Sequence, residues 1–412
     1  MQSRRTKKCD TGTLCLLLKQ TINKVKMKIK ILSKSILVTF VGLFTVSSAV
    51  AQDDYENVKI SNLSIESKIL KENRSILVSL PKNYNKDEAY PVLYFLDGEA
   101  MTSMAAGQLD YLSRAYLITP QIIIVGIVNK DRMRDLTPFP DTTVAKTSGG
   151  GNKFLDFLEK EVITTIEKNY KTAPYRILAG HSLGGLMSIY SLVERPLLFN
   201  SYIAISPSLQ WAKEAMLKDV AVKLDKTDGK NKFFFFSDAN ESTQFHANQH
   251  SLDSIFKSKN LKGLNTKYIY YPDETHISEP VKAFYDGLRF IYPDWYLPYN
   301  SSAFKKIMNS DTIISHYKKL SERYGYKVIP PHDELNTIAR FLRNDPKRID
   351  DAIVLLNLNS QNFPGSAKPY DLLGETFEKK GDKELAKAAY LKALSLDPSN
   401  QAIKEKIDKL NL

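Results

Sequence analysis

The sequence predicts an α/β fold, a mostly parallel sheet covered by helices, followed by an all-α region. Three observations lead there. Between about residues 57 and 296, short apolar runs rich in β-branched and aromatic residues alternate with helix-forming stretches, the pattern of strand–helix–strand units. Several of these runs are apolar at every position, as strands buried on both faces must be. Beyond residue 299 the strand-like runs stop and only helical periodicity remains. The composition agrees. With 43% hydrophobic and 25% charged residues over 412 positions, the chain is a globular mixture with room for two domains, unlike a disordered or low-complexity protein.

The first element is a leader, residues 1–51. Lys24–Lys30 carries four lysines, and the apolar stretch Ile36–Val46 that follows has 11 residues. That is too short to cross a hydrocarbon layer of roughly 30 Å as a helix. Ala49-Val50-Ala51 is a small-residue cleavage site that would leave Gln52 as the first mature residue. A compact signal peptide of this kind begins at Met27, which makes residues 1–26 upstream sequence. The expectation is a periplasmic or secreted protein without a stable membrane span. Both cysteines, Cys9 and Cys15, precede Met27. The mature chain then has none, which excludes disulfides, thiol catalysis and cysteine-type zinc sites. The leader also explains the charge. The whole chain stands at +12, but residues 1–51 hold ten Lys/Arg and one acid, which leaves 48 against 45 and a net of +3 for the rest. Such a balance offers no footprint for nucleic acid.

The second element is the α/β domain, residues 52–299. Val58–Leu80 contains no helix-forming stretch, so its strands, Arg74–Ser79 among them, are expected as an antiparallel edge. Tyr90–Phe95, Gln121–Val128, Tyr175–Ala179, Tyr202–Ile205, Lys232–Phe236 and Lys267–Tyr271 read as the remaining strands. Phe154–Lys168, Gly184–Leu192, His250–Lys259 and Pro280–Ile291 read as helices between or after them.

The third element is the helical region, residues 300–412. Tyr370, Leu373, Gly374 and Phe377, then Ala386, Tyr390 and Ala393, then Pro398, match the helix-turn-helix pattern of tetratricopeptide repeats, with Gly381 at the turn. One repeat length earlier, Ala352, Leu356 and Pro364 mark a degenerate copy in Asp333–Ser366. Gln401–Leu410 is expected as a capping helix. Two copies fall short of the three or so that an independent array needs. Apolar surface from Leu372, Leu373, Phe377, Leu385, Ala389, Leu391 and Leu394 must therefore be covered by something else. The candidates are the α/β domain, reached through the aromatic segment Tyr292–Tyr299, or a protein or peptide partner.

The chemistry centres on Gly180-His181-Ser182-Leu183-Gly184. This G-x-S-x-G lies between an apolar run and a helix-forming run, the setting of a nucleophile elbow. The turn is so tight that Gly180 and Gly184 must lack side chains. It lifts the Ser182 hydroxyl to a helix N-terminus, where the Leu183 amide faces developing negative charge. A serine needs a base, and the base needs an orienting carboxylate. In α/β-hydrolases the order is Ser, acid, His. His276, in the loop after Lys267–Tyr271, is the candidate base. Asp238, at the end of the preceding strand, and Glu241, further along the loop with a longer reach, are both candidate acids, and spacing leaves the choice open. The elbow turns the side chain of His181 away from the nucleophile, so it is expected to pack or hydrogen-bond beneath the turn.

Leu96-Asp97-Gly98, Gly180–Gly185, Ile205–Ser208 with Trp211, Ser237–Glu241 and Asp273–His276 together resemble the esterase D / enterochelin esterase-like group of α/β-hydrolases. The resemblance covers about residues 57–295. It implies the α/β-hydrolase fold, a serine esterase activity, and an acid in a small-Gly-x-x-Glu segment, which puts Glu241 at the acid position and Asp238 at the usual glycine. It also implies a second oxyanion amide after Leu-Asp-Gly, here Glu99 or Gly98. The chain is similar to secreted members of this group that carry tetratricopeptide-like tails.

Other constellations carry less. His246 and His250 stand one helical turn apart, half of a zinc site, but no third ligand accompanies them and a solvated helix face is the simpler reading. Arg132 and Arg134 follow a strand end, where they would hold an anionic substrate group or pair with Asp131 and Asp135. Trp211 would line the substrate pocket or pack. Ser148–Gly151 lacks the Lys-Ser/Thr of a phosphate loop and is expected as a flexible flap. The expected protein is a secreted serine carboxylic ester hydrolase that needs no metal or cofactor, acting on a siderophore lactone, a polysaccharide acyl or feruloyl ester, or a small acyl ester. The rivals are a catalytically silent hydrolase-fold protein working through its repeats and a serine peptidase on the same fold.

Overall fold

The structure is a computed structural model that describes residues 58–82, 84–115, 117–298 and 301–410. The leader, with its cleavage site and both cysteines, lies outside the described residues.

Eight strands form one sheet: β1 (Ile60–Ser67), β2 (Glu72–Ser79), β3 (Tyr90–Leu96), β4 (Ile123–Ile127), β5 (Thr172–His181), β6 (Ser201–Ile205), β7 (Lys232–Ala239) and β8 (Leu264–Tyr271). Their order across the sheet is β1-β2-β4-β3-β5-β6-β7-β8. β1 and β2 pair antiparallel, and β2 joins β4 antiparallel. All later pairings are parallel. This is the expected edge followed by a parallel sheet. Helices cover both faces, so every residue of β3, β4, β6 and β7 is buried.

The connecting helices begin with α1 (Gly98–Arg114), α2 (Arg132–Asp135) and α3 (Gly151–Phe157). A π-helical turn, Leu158–Ile163, links α3 to α4 (Thr164–Asn169). Glu161 on that turn accepts hydrogen bonds from Ser67 Oγ and from the Lys68 and Ile69 amides, which ties the β1–β2 corner down. Then come α5 (Leu183–Glu194), α6 (Trp211–Lys223), α7 (Thr243–Lys259) and α8 (Glu279–Ile291). Helix α1 was not expected. Its buried face is built largely from small side chains, Gly98, Thr102, Ala105 and Ala106, so hydropathy contrast is weak. Helix α6 was also not expected, and it opens with left-handed residues Ala212, Lys213 and Glu214. Helix α7 starts well before His250 because the Ser242 hydroxyl caps it by accepting from the Phe245 amide.

The helical region comprises α9 (Ser302–Ile307), α10 (Ser310–Tyr324), α11 (His332–Leu342), α12 (Ile349–Asn362), α13 (Ala367–Lys380), α14 (Lys383–Leu396) and α15 (Gln401–Leu410). From Ile60 onward the chain forms one compact unit. One face of the sheet shares a single apolar core with Tyr292, Trp295, Leu297, Met308, Ile313, Tyr317 and helices α11 to α13. Tyr324 is the pivot. Its ring lies 5.3 Å from Tyr175 on β5, 5.1 Å from Tyr292 and 5.8 Å from Trp295, and its hydroxyl donates to the Ile291 carbonyl. The tail thus leans on the α/β domain. Leu385 and Leu391 do not join in and stay about half exposed, at 48% and 49%.

Gly374 packs directly under Tyr390, and a Cβ there would come within 2.3 Å of the ring. Tyr390 is fully buried and its hydroxyl is bonded to Glu378, so the ring has no room to move. Gly374→Ala is expected to destabilise the tail by about 1–3 kcal/mol, the usual cost of overpacking. Thermal unfolding checks this, and an unchanged melting profile would mean that α13 and α14 can part without cost.

Candidate active site

The site residues collect where ligands bind in open α/β sheets, beyond the carboxyl ends of the parallel strands. Asp97 follows β3, Ser182 follows β5, Ser206 follows β6, Asp238 lies near the end of β7 with Glu241 just beyond it, and His276 follows β8.

Ser182 joins β5 to α5 with φ 60° and ψ −116°, a conformation a non-glycine residue adopts only when its surroundings force it. The Ser182 amide donates to the Ile205 carbonyl at 2.9 Å, fixing the turn to β6. A Cβ at Gly180 would lie 2.3 Å from the Gly184 carbonyl, so glycine is obligatory there. Gly184 is less strict, because its Cβ would meet Asp97 Oδ2 and Leu96 Cβ at 3.3 Å. Ser182 Oγ lies 3.0 Å from Ser208 Oγ and is not hydrogen-bonded to His276.

The Leu183 amide opens α5. After β3, Gly98 and Glu99 open α1, whose first closing bond runs from the Ala100 amide to the Asp97 carbonyl. Arg132 holds this corner. It binds both carboxylate oxygens of Asp97, at 2.6 and 2.9 Å, and donates to the His181 carbonyl at 3.2 Å, stitching the β3 loop to the elbow. It does not pair with Asp131 or Asp135. The Glu99 carboxylate accepts from the Asn129 amide and side chain.

His276 meets Glu241 rather than Asp238. Its Nδ1 is 3.1 Å from Glu241 Oε2, close enough for an ion pair though not aligned as a hydrogen bond. The two loops are joined by a bond from the Asn240 amide to the Glu274 carbonyl, 2.9 Å. Asp238 is fully buried and occupied elsewhere: it accepts from Tyr268 at 2.7 Å and lies 2.6 Å from His246 Nδ1. Burial pushes its carboxyl up, and those two bonds oppose the shift.

His181 packs against His276 rather than beneath the turn, with ring centroids 4.4 Å apart. Burial first, and then repulsion from His276, push it down to about 4, so it stays neutral at ordinary pH. Phe245 meets the His276 ring edge-on at 6.0 Å. Behind Glu241, Ser206 Oγ donates to Oε1 at 2.7 Å and is also bonded to Glu279. Burial pushes the Glu279 carboxyl up to about 7, against its hydrogen bond to Ser206. No local pattern marks Glu279, whose partner is 73 residues away.

Other expectations fare differently. Arg134 is spent on Glu72, at 2.6 and 3.2 Å, and on Asp135 at 2.7 Å. Trp211 is buried at 9% exposure, and its indole donates to the Phe139 carbonyl at 2.7 Å. Neither is left free as a substrate contact. The glycine stretch is pinned rather than a loose flap: Gly149 donates to Thr137 Oγ1, Gly150 to the Arg134 carbonyl and Gly151 to the Thr137 carbonyl. His246 and His250 face one another, Nε2 to Nε2 at 2.9 Å, and among the described residues no three metal-ligating side chains come together.

Residues 67–269 match the family described as putative esterase, and residues 367–400 match a tetratricopeptide repeat. A crystal structure of an IroE-like serine hydrolase from Shewanella oneidensis is 31% identical, covers 74% of this chain and 100% of its own, and superposes with a TM-score of 0.66. The ferri-bacillibactin esterase BesA of Bacillus subtilis is 29% identical over 252 residues, 54% of this chain and 87% of that protein. A structure from Capnocytophaga ochracea, 17% identical with a TM-score of 0.62, shares the fold over 86% of this chain and 99% of its own. Fold and relatives alike define a serine hydrolase. The chain belongs to the putative esterase family of α/β-hydrolases, as a carboxylic ester hydrolase with a tetratricopeptide-like tail.

Proposed function

We propose that this is a secreted esterase that cleaves siderophore-type esters through Ser182, His276 and Glu241. The observation that carries the catalytic part is the approach of Glu241 to His276 beside a serine held at positive φ. His276 takes the Ser182 proton as Oγ attacks the ester carbonyl. The Leu183 and Glu99 amides receive the oxyanion, each worth on the order of 3 kcal/mol. His276 then protonates the leaving alcohol, and water attacks the acyl-enzyme with His276 again as base. Glu241 holds the imidazole tautomer and balances its positive charge. In apo sites such contacts are commonly looser than in the substrate complex, where His276 closes on Ser182 Oγ. His181, neutral and packed against His276 at a tilt, steadies the ring without competing for the proton.

The names of the relatives support the substrate class. Besides BesA, they include an apo-salmochelin esterase from Escherichia coli, 29% identical over 161 residues, 35% of this chain and 50% of that protein. A panel of a catecholate siderophore lactone, an acetylated or feruloylated polysaccharide, p-nitrophenyl acetate and an aminoacyl amide tests it. The lactone should be hydrolysed with the highest kcat/KM and the amide not at all. Faster cleavage of the polysaccharide ester would transfer the enzyme to that class.

Glu241→Gln is expected to lower kcat by about 10²-fold or more, because only the group on the imidazole fixes its tautomer. Asp238→Asn should cost far less in kcat and show instead as lost stability, since its partners are His246 and Tyr268. The reverse ranking would move the acid role to Asp238. Secretion rests on the leader, and N-terminal sequencing of the mature protein should read from Gln52.

A further inference from the structure

Ser206 follows β6 at φ 39°, and its hydroxyl lies between two carboxyl groups, Glu241 and Glu279. A serine hydroxyl has one proton to give. It cannot donate to two carboxylates, so the two bonds require a proton on one of the acids. Glu241 is poorly suited to keep it. Its other oxygen faces His276 Nδ1, and its side chain retains contact with solvent. Glu279 is fully buried at the start of α8, and among the described residues no cation pairs with it. Burial and the neighbouring carboxylates of Glu241 and Asp238 disfavour a negative charge there, the Ser206 and Ser237 hydroxyls offset this only in part, and Tyr271 on β8 has its own hydroxyl on Asp286.

We infer that Glu279 is a positioning residue: it holds a proton, donates it as a hydrogen bond to Ser206 Oγ, and through the Ser206 hydroxyl fixes the Glu241 carboxylate against His276. This rests on the assignment of Ser182, His276 and Glu241 as the reacting triad. Ser206 is the one hydrogen-bond donor to the Glu241 side chain among the described residues. Its hydroxyl keeps its orientation because Glu279 supplies the opposing donor. The protonated acid also adds no second negative charge behind the triad. No proton moves along this chain during turnover; each hydrogen bond only sets the direction of the next.

The test uses the full mature chain, p-nitrophenyl acetate as substrate, and the variants E279L, E279Q, S206A and the double variant S206A/E279L. E279L and S206A should each lower kcat by about 10- to 100-fold with KM nearly unchanged, as expected for a group acting on the transition state through another residue. In both, the acid limb of kcat/KM should move to lower pH by about one unit, because a displaced Glu241 no longer stabilises the imidazolium. The double variant should be no slower than the worse single one, since both break one chain. E279Q offers an amide N–H to Ser206 at every pH, so it should keep kcat within about threefold, with the limb in place. E279Q and S206A keep the test open if E279L folds poorly. A wild-type rate and limb in folded E279L or S206A would overturn the inference, as would an E279Q as slow as E279L. The triad assignment fails separately, through an active Ser182→Ala enzyme.

Discussion

Ser182→Ala is expected to lower kcat by about 10⁴-fold or more while leaving the protein folded, because the remaining groups can polarise the ester but cannot form an acyl-enzyme. The strained turn is set by its surroundings rather than by the hydroxyl. Gly180 has no room for a side chain, the Ser182 amide is tied to β6, and the neighbouring Arg132 bridges Asp97 and the His181 carbonyl. Among the described residues the Ser182 side chain has only Ser208 as hydrogen-bond partner. The variant should therefore melt close to the parent and lose labelling by a fluorophosphonate probe. Retention of a tenth of the rate would remove Ser182 from the mechanism. Loss of labelling without loss of ester hydrolysis would do the same. A parent enzyme that the probe never labels would favour a silent hydrolase-fold protein.

Much of this site was legible in the sequence because its parts are local. The elbow is written in five consecutive residues, and its strand and helix flank it directly. The central strands were legible because burial on both faces leaves an unbroken apolar run, as in Phe233–Phe236. What escaped reading depends on contacts between distant segments. Asp238 and Glu241 are three residues apart, and only the fold decides that one turns to Tyr268 and His246 while the other meets His276. Arg134 looked available, but its partner Glu72 is 62 residues away on β2. Glu279 stands just before the helix read from Pro280, and nothing in its neighbours announces Ser206, 73 residues away. Helix α1 was missed for a different reason. Its packing surface is made of small side chains that let it sit close to β4, where a Cβ on Gly98 would come within 2.4 Å of Gly126. Close packing of this kind leaves little hydropathic contrast to read.

Truncation after Tyr299 is expected to produce the largest loss of stability. The cut preserves every triad candidate but strips Tyr324, Tyr317, Met308 and helices α11 to α13 from the apolar core they share with the sheet. Tyr175, Tyr292, Trp295 and Phe233 would lose their cover, since Tyr324 touches all four rings. At about 2 kcal/mol for each large apolar side chain returned to water, the loss is of the same order as the total stability of a typical domain. Residues 52–299 should therefore melt far below residues 52–412, or aggregate through the exposed rings. Tyr175 and Tyr292 are wholly buried, and their rings pack against Tyr324, with Tyr326 also against Tyr175. Uncovering them exposes a surface that is aromatic rather than mixed, which favours association over simple loss of rigidity. Equal melting temperatures for the two chains would make the tail an independent appendage. The tail would then have to be understood through the surface it still offers, the half-exposed Leu385 and Leu391 on α14.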